Sequence, residues 1–194
     1  MNGMFNLTWN QIITIDPISI SNLIASVALA LIVVYVTMWL NQKKDFKSSR
    51  NGLITEINRN WINCENLDKN LEEVIKDYSQ YTKDGKIPLI IGFLQDYSAY
   101  NYFTQQGYFI KISRELRIKI ENYYLSSKLL LELYNLDRQT QENLKNIEPA
   151  RRVVFENLRL NQNLTLLKSK LIHQKDLFDD LIKEMIKAKW LHVE

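Results

Sequence analysis

The stretch "GLITEINRNWINCENLDKNLEEVIKDYSQY", residues 52–81, carries the apolar seam that decides how this chain folds. Placing Ile57, Cys64, Leu71 and Tyr78 at the first position of a seven-residue repeat puts Leu53, Asn60, Leu67, Val74 and Tyr81 at the fourth. Recurrence every three or four residues predicts an amphipathic helix that buries one stripe against other helices. Ile54, Trp61 and Ile75 widen the stripe. Asn60 interrupts it, and a polar residue there reads either as a device that fixes register or as a kink turned to water. The helix is expected to stop at "KDGKIP", where Gly85 suits a left-handed cap and Pro88 cannot continue the hydrogen-bond ladder.

On the N-terminal side lies "SNLIASVALALIVVYVTMWLNQKK", residues 21–44. From Leu23 to Leu40 there are eighteen residues without a charge, with Ser26, Tyr35 and Thr37 as the polar members. Such a helix is roughly 27 Å long, close to the hydrocarbon thickness of a bilayer. Asp16 as cap and Pro17 at the first helical position extend it to residues 17–41, the expected transmembrane helix. No lysine or arginine precedes Gln42, so the positive n-region of a secretory signal is missing. Lys43, Lys44, Lys47 and Arg50 crowd the far end, which by the positive-inside rule puts residues 1–16 outside the cell membrane and residues 42–194 in the cytoplasm. Within the span, Ser21, Ala25 and Ala28 share a face, and Ser26 and Ala30 form a small-xxx-small pair, the kind of surface on which spans associate.

On the C-terminal side, "IPLIIGFLQDYSAYNYFTQQGYFIKISREL" is dense in aromatics. It predicts a helix from about Phe93 to Gln106, a stop at Gly107, an extended "YFIKI", and a helix capped by Ser113 that ends between Leu136 and Lys145. Pro149 then opens a last helix to about Trp190, with Val153, Val154, Leu160, Leu164, Leu167, Leu171, Leu181 and Met185 at helical spacing. The expected fold is all-α. A single N-terminal span is followed by a long antiparallel helical hairpin, coiled-coil-like, made of a stalk (42–84) and a return helix (149–190) with a short two-helix, aromatic-rich cap (88–145) at its distal end. A return of this kind would bring Lys183, Lys187 and Lys189 to the lipid headgroups beside Lys43, Lys44 and Lys47, with Trp190 in the interface.

The chain has 25 basic and 22 acidic residues, a net charge of +3, which is too balanced to imply a polyanion partner. The basic run Lys111, Arg114, Arg117 and Lys119 is interleaved with Glu115 and Glu121, and nucleic acid is not expected. A single cysteine, Cys64, excludes an internal disulfide. There is no Gly-rich phosphate loop and no Ser/His/Asp grouping. His173, Asp176 and Asp180 share a helical face and read as a solvated surface in preference to a metal site. Neither histidine follows an arginine by four to six residues, as all-helical RNases of the prokaryotic nucleotide-binding class require. No catalytic residue, metal or cofactor is expected.

Tyr97, Tyr100, Tyr102, Phe103, Tyr108 and Phe109 fall within thirteen residues. Exposed, they would form a partner surface; buried, they would be the core of the cap, with hydroxyls at its rim. The run from "GLITEINRNWINCENL" through "FLQDYSAYNYFTQQGYFIKISRELRIKIENYYLSSKLLLELYN" resembles a recurrent kind of uncharacterised prokaryotic single-pass membrane protein, over the chain up to about Asn135. The resemblance implies the fold and topology and no activity. The expected function is a membrane-tethered, self-associating interaction or scaffold module whose cap meets a protein partner. The alternative is a membrane-active effector, pore-forming and of defence or toxin type, assembling through its span.

Overall fold

The computed structural model describes residues 17–83, 90 and 92–191; the segment 1–16, the stop expected at Gly85 and Pro88, and His192 lie outside them. Among the described residues every regular element is helical. They are α1 (Pro17–Lys83), α2 (Ser98–Gln105), a 3-10 turn (Tyr108–Lys111), α3 (Arg114–Leu144), α4 (Pro149–Arg159), a π-helical turn (Leu160–Leu164) and α5 (Thr165–Lys187). The chain divides into two compact units, Met1–Lys47 and Ser48–Glu194.

In the first unit every side chain from Ser21 to Asp45 is exposed. Its apolar window has a mean hydropathy of 2.5 with none of it buried, long and apolar enough to cross a membrane. Ser26 Oγ donates back to the carbonyl of Asn22 at 2.8 Å, so its polarity is spent within the helix. The Lys43 ammonium lies 3.6 Å above the Trp39 ring. The apolar stretch thus ends in a cation held against an aromatic ring.

In the second unit the seam of α1 is the core. Leu53, Ile57, Asn60, Cys64, Leu67, Leu71, Val74 and Tyr78 are all buried. Cys64, Leu67, Leu71 and Val74 pack with Phe93, with Leu130 and Tyr134 of α3, and with Leu164, Leu167 and Leu171 around the start of α5. Trp61 stacks on Phe178 with ring centroids 4.6 Å apart, and Lys168 bridges Asp68 and Glu72 at 2.8 and 2.6 Å. Ser113 caps α3 by accepting from Leu116 N–H, as its position foretells. α3 is thirty-one residues long and lies along α5, where Gln174 Nε2 donates to the Tyr123 carbonyl and to Ser127 Oγ. It is therefore a full third helix of the bundle, not part of a short two-helix cap.

Two further expectations change. The extended "YFIKI" is a 3-10 turn over Tyr108–Lys111: Gly107 does stop α2 with φ 67°, but the Ile110 N–H then returns to the Gly107 carbonyl at 3.2 Å. The last helix does run on from Pro149 to Lys187, but it changes pitch at the π-helical turn. It buries Glu156, Arg159, Leu164, Leu167, Leu171 and Gln174, so one step between inward residues is five instead of three or four. The π turn absorbs the extra residue and rotates α4 by about one residue, roughly 100°. Val153 and Val154, expected in the core, are 48% and 60% exposed.

Rotation puts a charge into the bundle. Arg159, 2% exposed, makes a bidentate pair with Asp137 at 2.7 and 2.8 Å, and Gln141 Nε2 donates to the same carboxylate at 2.8 Å. Such a pair is nearly neutral to a well-packed apolar replacement, but losing one member strands the other charge. Asp137→Leu alone should cost on the order of 3–5 kcal/mol in denaturant unfolding of the detergent-solubilised protein, and Asp137→Leu with Arg159→Met should recover most of it. A double variant less stable than the single would overturn this account of α4.

Candidate functional site

α2 is eight residues long and has no capping side chain of its own. The first three N–H groups of any α-helix lack intrahelical partners and need acceptors when covered. Here Ser98 N–H donates to Asp96 Oδ1 at 3.0 Å, Ala99 N–H to Glu56 Oε2 at 2.6 Å and Tyr100 N–H to Glu56 Oε1 at 3.1 Å. Glu56 stands on α1, 3% exposed, and also accepts from Ser98 Oγ at 3.2 Å and Tyr124 Oη at 2.6 Å. One carboxylate from a distant helix therefore caps α2 and ties it to α3, placing negative charge at the positive end of the α2 dipole.

Asn60 does the corresponding work one turn on. Its Nδ2 donates to the Asp96 carbonyl at 2.7 Å and its Oδ1 accepts from Asp96 N–H at 2.8 Å. Asn63 Nδ2 donates to the Leu94 carbonyl at 2.7 Å, and Arg59 pairs with Asp96 at 3.4 Å on the surface. The seam asparagine is thus neither a helix-register device nor a water-facing kink; it is a buried clamp on the backbone of the segment before α2. Those bonds hold residues 92–97 out of helix, which is why α2 starts at Ser98 and not near Phe93. The contacts run 63 with 94, 60 with 96 and 56 with 99, so the segment descends along α1. The aromatic group consequently sits beside Gly52 to Asn60, where α1 enters this unit, and not at the distal end near Tyr78.

The six aromatics divide. Phe103, Tyr108 and Phe109 are 0%, 7% and 9% exposed and meet edge to face at 5.2 to 5.4 Å between Phe103 and the other two. Tyr97 and Tyr100 are half-buried and flank Tyr124, with centroids 5.9 and 4.2 Å from it, while Tyr102 is 48% exposed. Tyr124, a residue of α3 that sequence reasoning left out, joins them because Glu56 holds its hydroxyl; a tyrosine in the α3 core face next to Tyr123 was the available signal. Burial, then the Glu56 carboxylate, holds the Tyr124 hydroxyl well above the usual phenol range. Burial first, then Cys64, Glu132 and Glu56, pushes Tyr97 up to about 12.

The other residues singled out from sequence are scattered. Ser21, Ala25, Ala28, Ser26 and Ala30 are exposed along the apolar stretch, as are Lys43, Lys44 and Lys47; Arg50 is half-buried. Lys183 and Lys187 are exposed and pair with Asp180 at 3.8 Å and Glu184 at 3.3 Å. Trp190 is not free to enter a lipid interface. Lys189 adopts φ 58°, Lys189 N–H returns to the Ile186 carbonyl and Trp190 N–H to the Met185 carbonyl, a Schellman turn that lays the indole on Phe103 at 5.9 Å, 9% exposed. His173 and Asp176 are exposed, and Asp180 engages Lys119 at 2.7 Å. Cys64 is 1% exposed beside Gln95 Nε2 at 3.4 Å, and burial pushes its thiol up to about 12, so the thiolate is scarce at neutral pH.

Comparison of the chain with protein-family models, curated proteins and solved structures found no match. The geometry alone carries the functional reading. If Glu56 is the cap, Glu56→Ala should speed amide exchange at Ala99 and Tyr100 by tenfold or more, about 1.4 kcal/mol or above, while leaving Leu130 protected. Unchanged exchange at Ala99 and Tyr100 would remove Glu56 from this role.

Proposed function

We propose that this protein is a membrane-tethered helical interaction module that associates with itself, with no chemistry of its own. The observation that carries the reading is the inside-out amphipathicity of α4. It turns Glu156 and Arg159 inward at 3% and 2% exposure, while Val153, Val154, Phe155 and Leu158 stand outward at 46–60%. A helix that turns two of its charges inward and offers an apolar patch to solvent is built to be covered. A second copy is the simplest cover, because an apolar patch can meet its own copy about a two-fold axis, with the exposed Arg151 at its N-terminal end left at the rim, and tethering in a plane raises the local concentration.

In this reading residues 17–41 span the cell membrane, Lys43, Lys44, Lys47 and Arg50 hold the following residues in the cytoplasm, and α1 with α4–α5 forms the antiparallel, coiled-coil-like hairpin. The contact order supports the hairpin: Trp61 meets Phe178, whereas Asp68 and Glu72 meet Lys168. Pore formation draws less support, since Ser26, one of the few polar side chains of the span, is turned back onto its own helix.

A photo-crosslinking residue at Phe155, in native membranes, should yield a dimer-sized product, and the same residue at Glu73 on the outer face of α1 should not. Val154→Glu with Phe155→Glu should abolish the product of a crosslinker at Leu158 while leaving the helical content of the chain unchanged, because within one chain these side chains are exposed. Monomer alone at position 155 would sink the self-association reading.

A further inference from the structure

Beside the α2 cap, between α2 and α3, lies a cavity of about 500 Å³. Tyr97, Tyr100 and Tyr124 line it, together with Glu121, Lys128 and Glu132 of α3. Volumes of this order accommodate a ligand or a few residues of a partner chain. Three features describe the group it fits.

The first is aromatic. Tyr100 and Tyr124 stack at 4.2 Å with 23° between planes, and Tyr97 is tilted 55° to Tyr124, so the rings form a bent wall. Tyr124 donates its hydroxyl to the Glu56 carboxylate, and a phenol that donates to an anion becomes electron-richer, which deepens the negative face of its ring. The second is charge. Two carboxylates to one ammonium line the cavity, and the Glu56 carboxylate lies behind the ring wall. Glu132 makes no ion pair among the described residues, whereas Glu121 already meets Arg117 at 3.6 Å. The third is polar: Asn101 of α2 and Asn135 of α3 also line the cavity.

We infer that this cavity receives a cationic side chain, an arginine presented by a protein partner, whose guanidinium lies on the tyrosine wall and pairs with Glu132. Arginine fits better than lysine. Its planar fork stacks on aromatic faces, is weakly hydrated, and meets a carboxylate with two donors at once. Lys128 opposes the guest by like charge, which sets the affinity low and makes the site responsive to whichever residues flank the arginine. The inference rests on the reading of the protein as an interaction module. It uses a different face from α4, so a failed crosslink at Phe155 and a failed arginine site are separate results.

The test uses the full chain in maltoside micelles, with ring-labelled tyrosine observed by NMR and the Tyr97 signal assigned from Tyr97→Phe. Nα-acetyl-arginine methylamide should shift the Tyr97 and Tyr100 signals saturably, and the citrulline analogue, the same shape without the charge, should bind about tenfold more weakly. Choline provides a small quaternary ammonium as a second probe; shifts that are stronger for choline than for the arginine derivative would assign the cavity to a free cation and overturn the arginine assignment. Glu132→Gln should weaken the arginine derivative about fivefold and Lys128→Gln should tighten it about threefold, each with the buried Tyr123 and Tyr134 signals unmoved as evidence of an intact fold. Equal shifts from arginine and citrulline, or no response to either substitution, would overturn the proposal.

Discussion

The first turn of α2 leaves three backbone N–H groups in need of acceptors, and the carboxylates of Glu56 and Asp96 supply all three. Much of the second unit follows from that requirement. A covered carboxylate must be fully engaged, and Glu56 is: it takes two N–H groups, the Ser98 hydroxyl and the Tyr124 hydroxyl. Its bonds fix where α2 begins, how far α3 lies from α1, and which faces of Tyr97, Tyr100 and Tyr124 remain to line a cavity. Asn60 completes the clamp by pairing with both backbone groups of Asp96, so the irregular segment before α2 meets its hydrogen-bonding needs on α1 in place of a helix of its own.

A second constraint acts at the other end of the same bundle. The π turn at Leu160–Leu164 sets α4 out of step with α5, and the bundle accepts the Arg159 guanidinium because Asp137 and Gln141 on α3 answer it. Arg152 contributes nearby by donating to the carbonyls of Lys145 and Ile147 past the end of α3, where a cation also suits the helix dipole. Burying charge inward on a short helix forces its aliphatic residues outward. The apolar surface of α4 is thus the complement of a polar interior, not a scatter of surface leucines and valines.

The two surfaces differ in chemistry, and that difference is the basis for assigning them to different occupants. The α4 face is apolar apart from Arg151, which is why a second copy is proposed for it. The cavity beside α2 is lined by three tyrosines, two carboxylates and one ammonium, which is why a cation is proposed for it. Neither holds a constellation of nucleophile, base and oxyanion donors, and the one thiol is buried in the seam of α1.

Several features were legible in the residues because they depend on local periodicity and local backbone chemistry. The apolar stretch after Pro17, the buried stripe from Leu53 to Tyr78, the Ser113 cap, the left-handed Gly107 and the start at Pro149 are of this kind: each is decided within a turn or two of helix. The rest was decided by partners far apart in sequence. Nothing near Glu56 shows that its carboxylate will cap a helix 42 to 44 residues later, and nothing near Asn60 shows that it will hold Asp96. Val153 and Val154 have core spacing within their own segment and face water because the π turn and the Arg159–Asp137 pair set the rotation of α4. Periodicity fixes which residues of a helix share a face; which face the fold buries depends on where the neighbouring helices can satisfy its charged and backbone polar groups, and that is a property of the assembled structure alone.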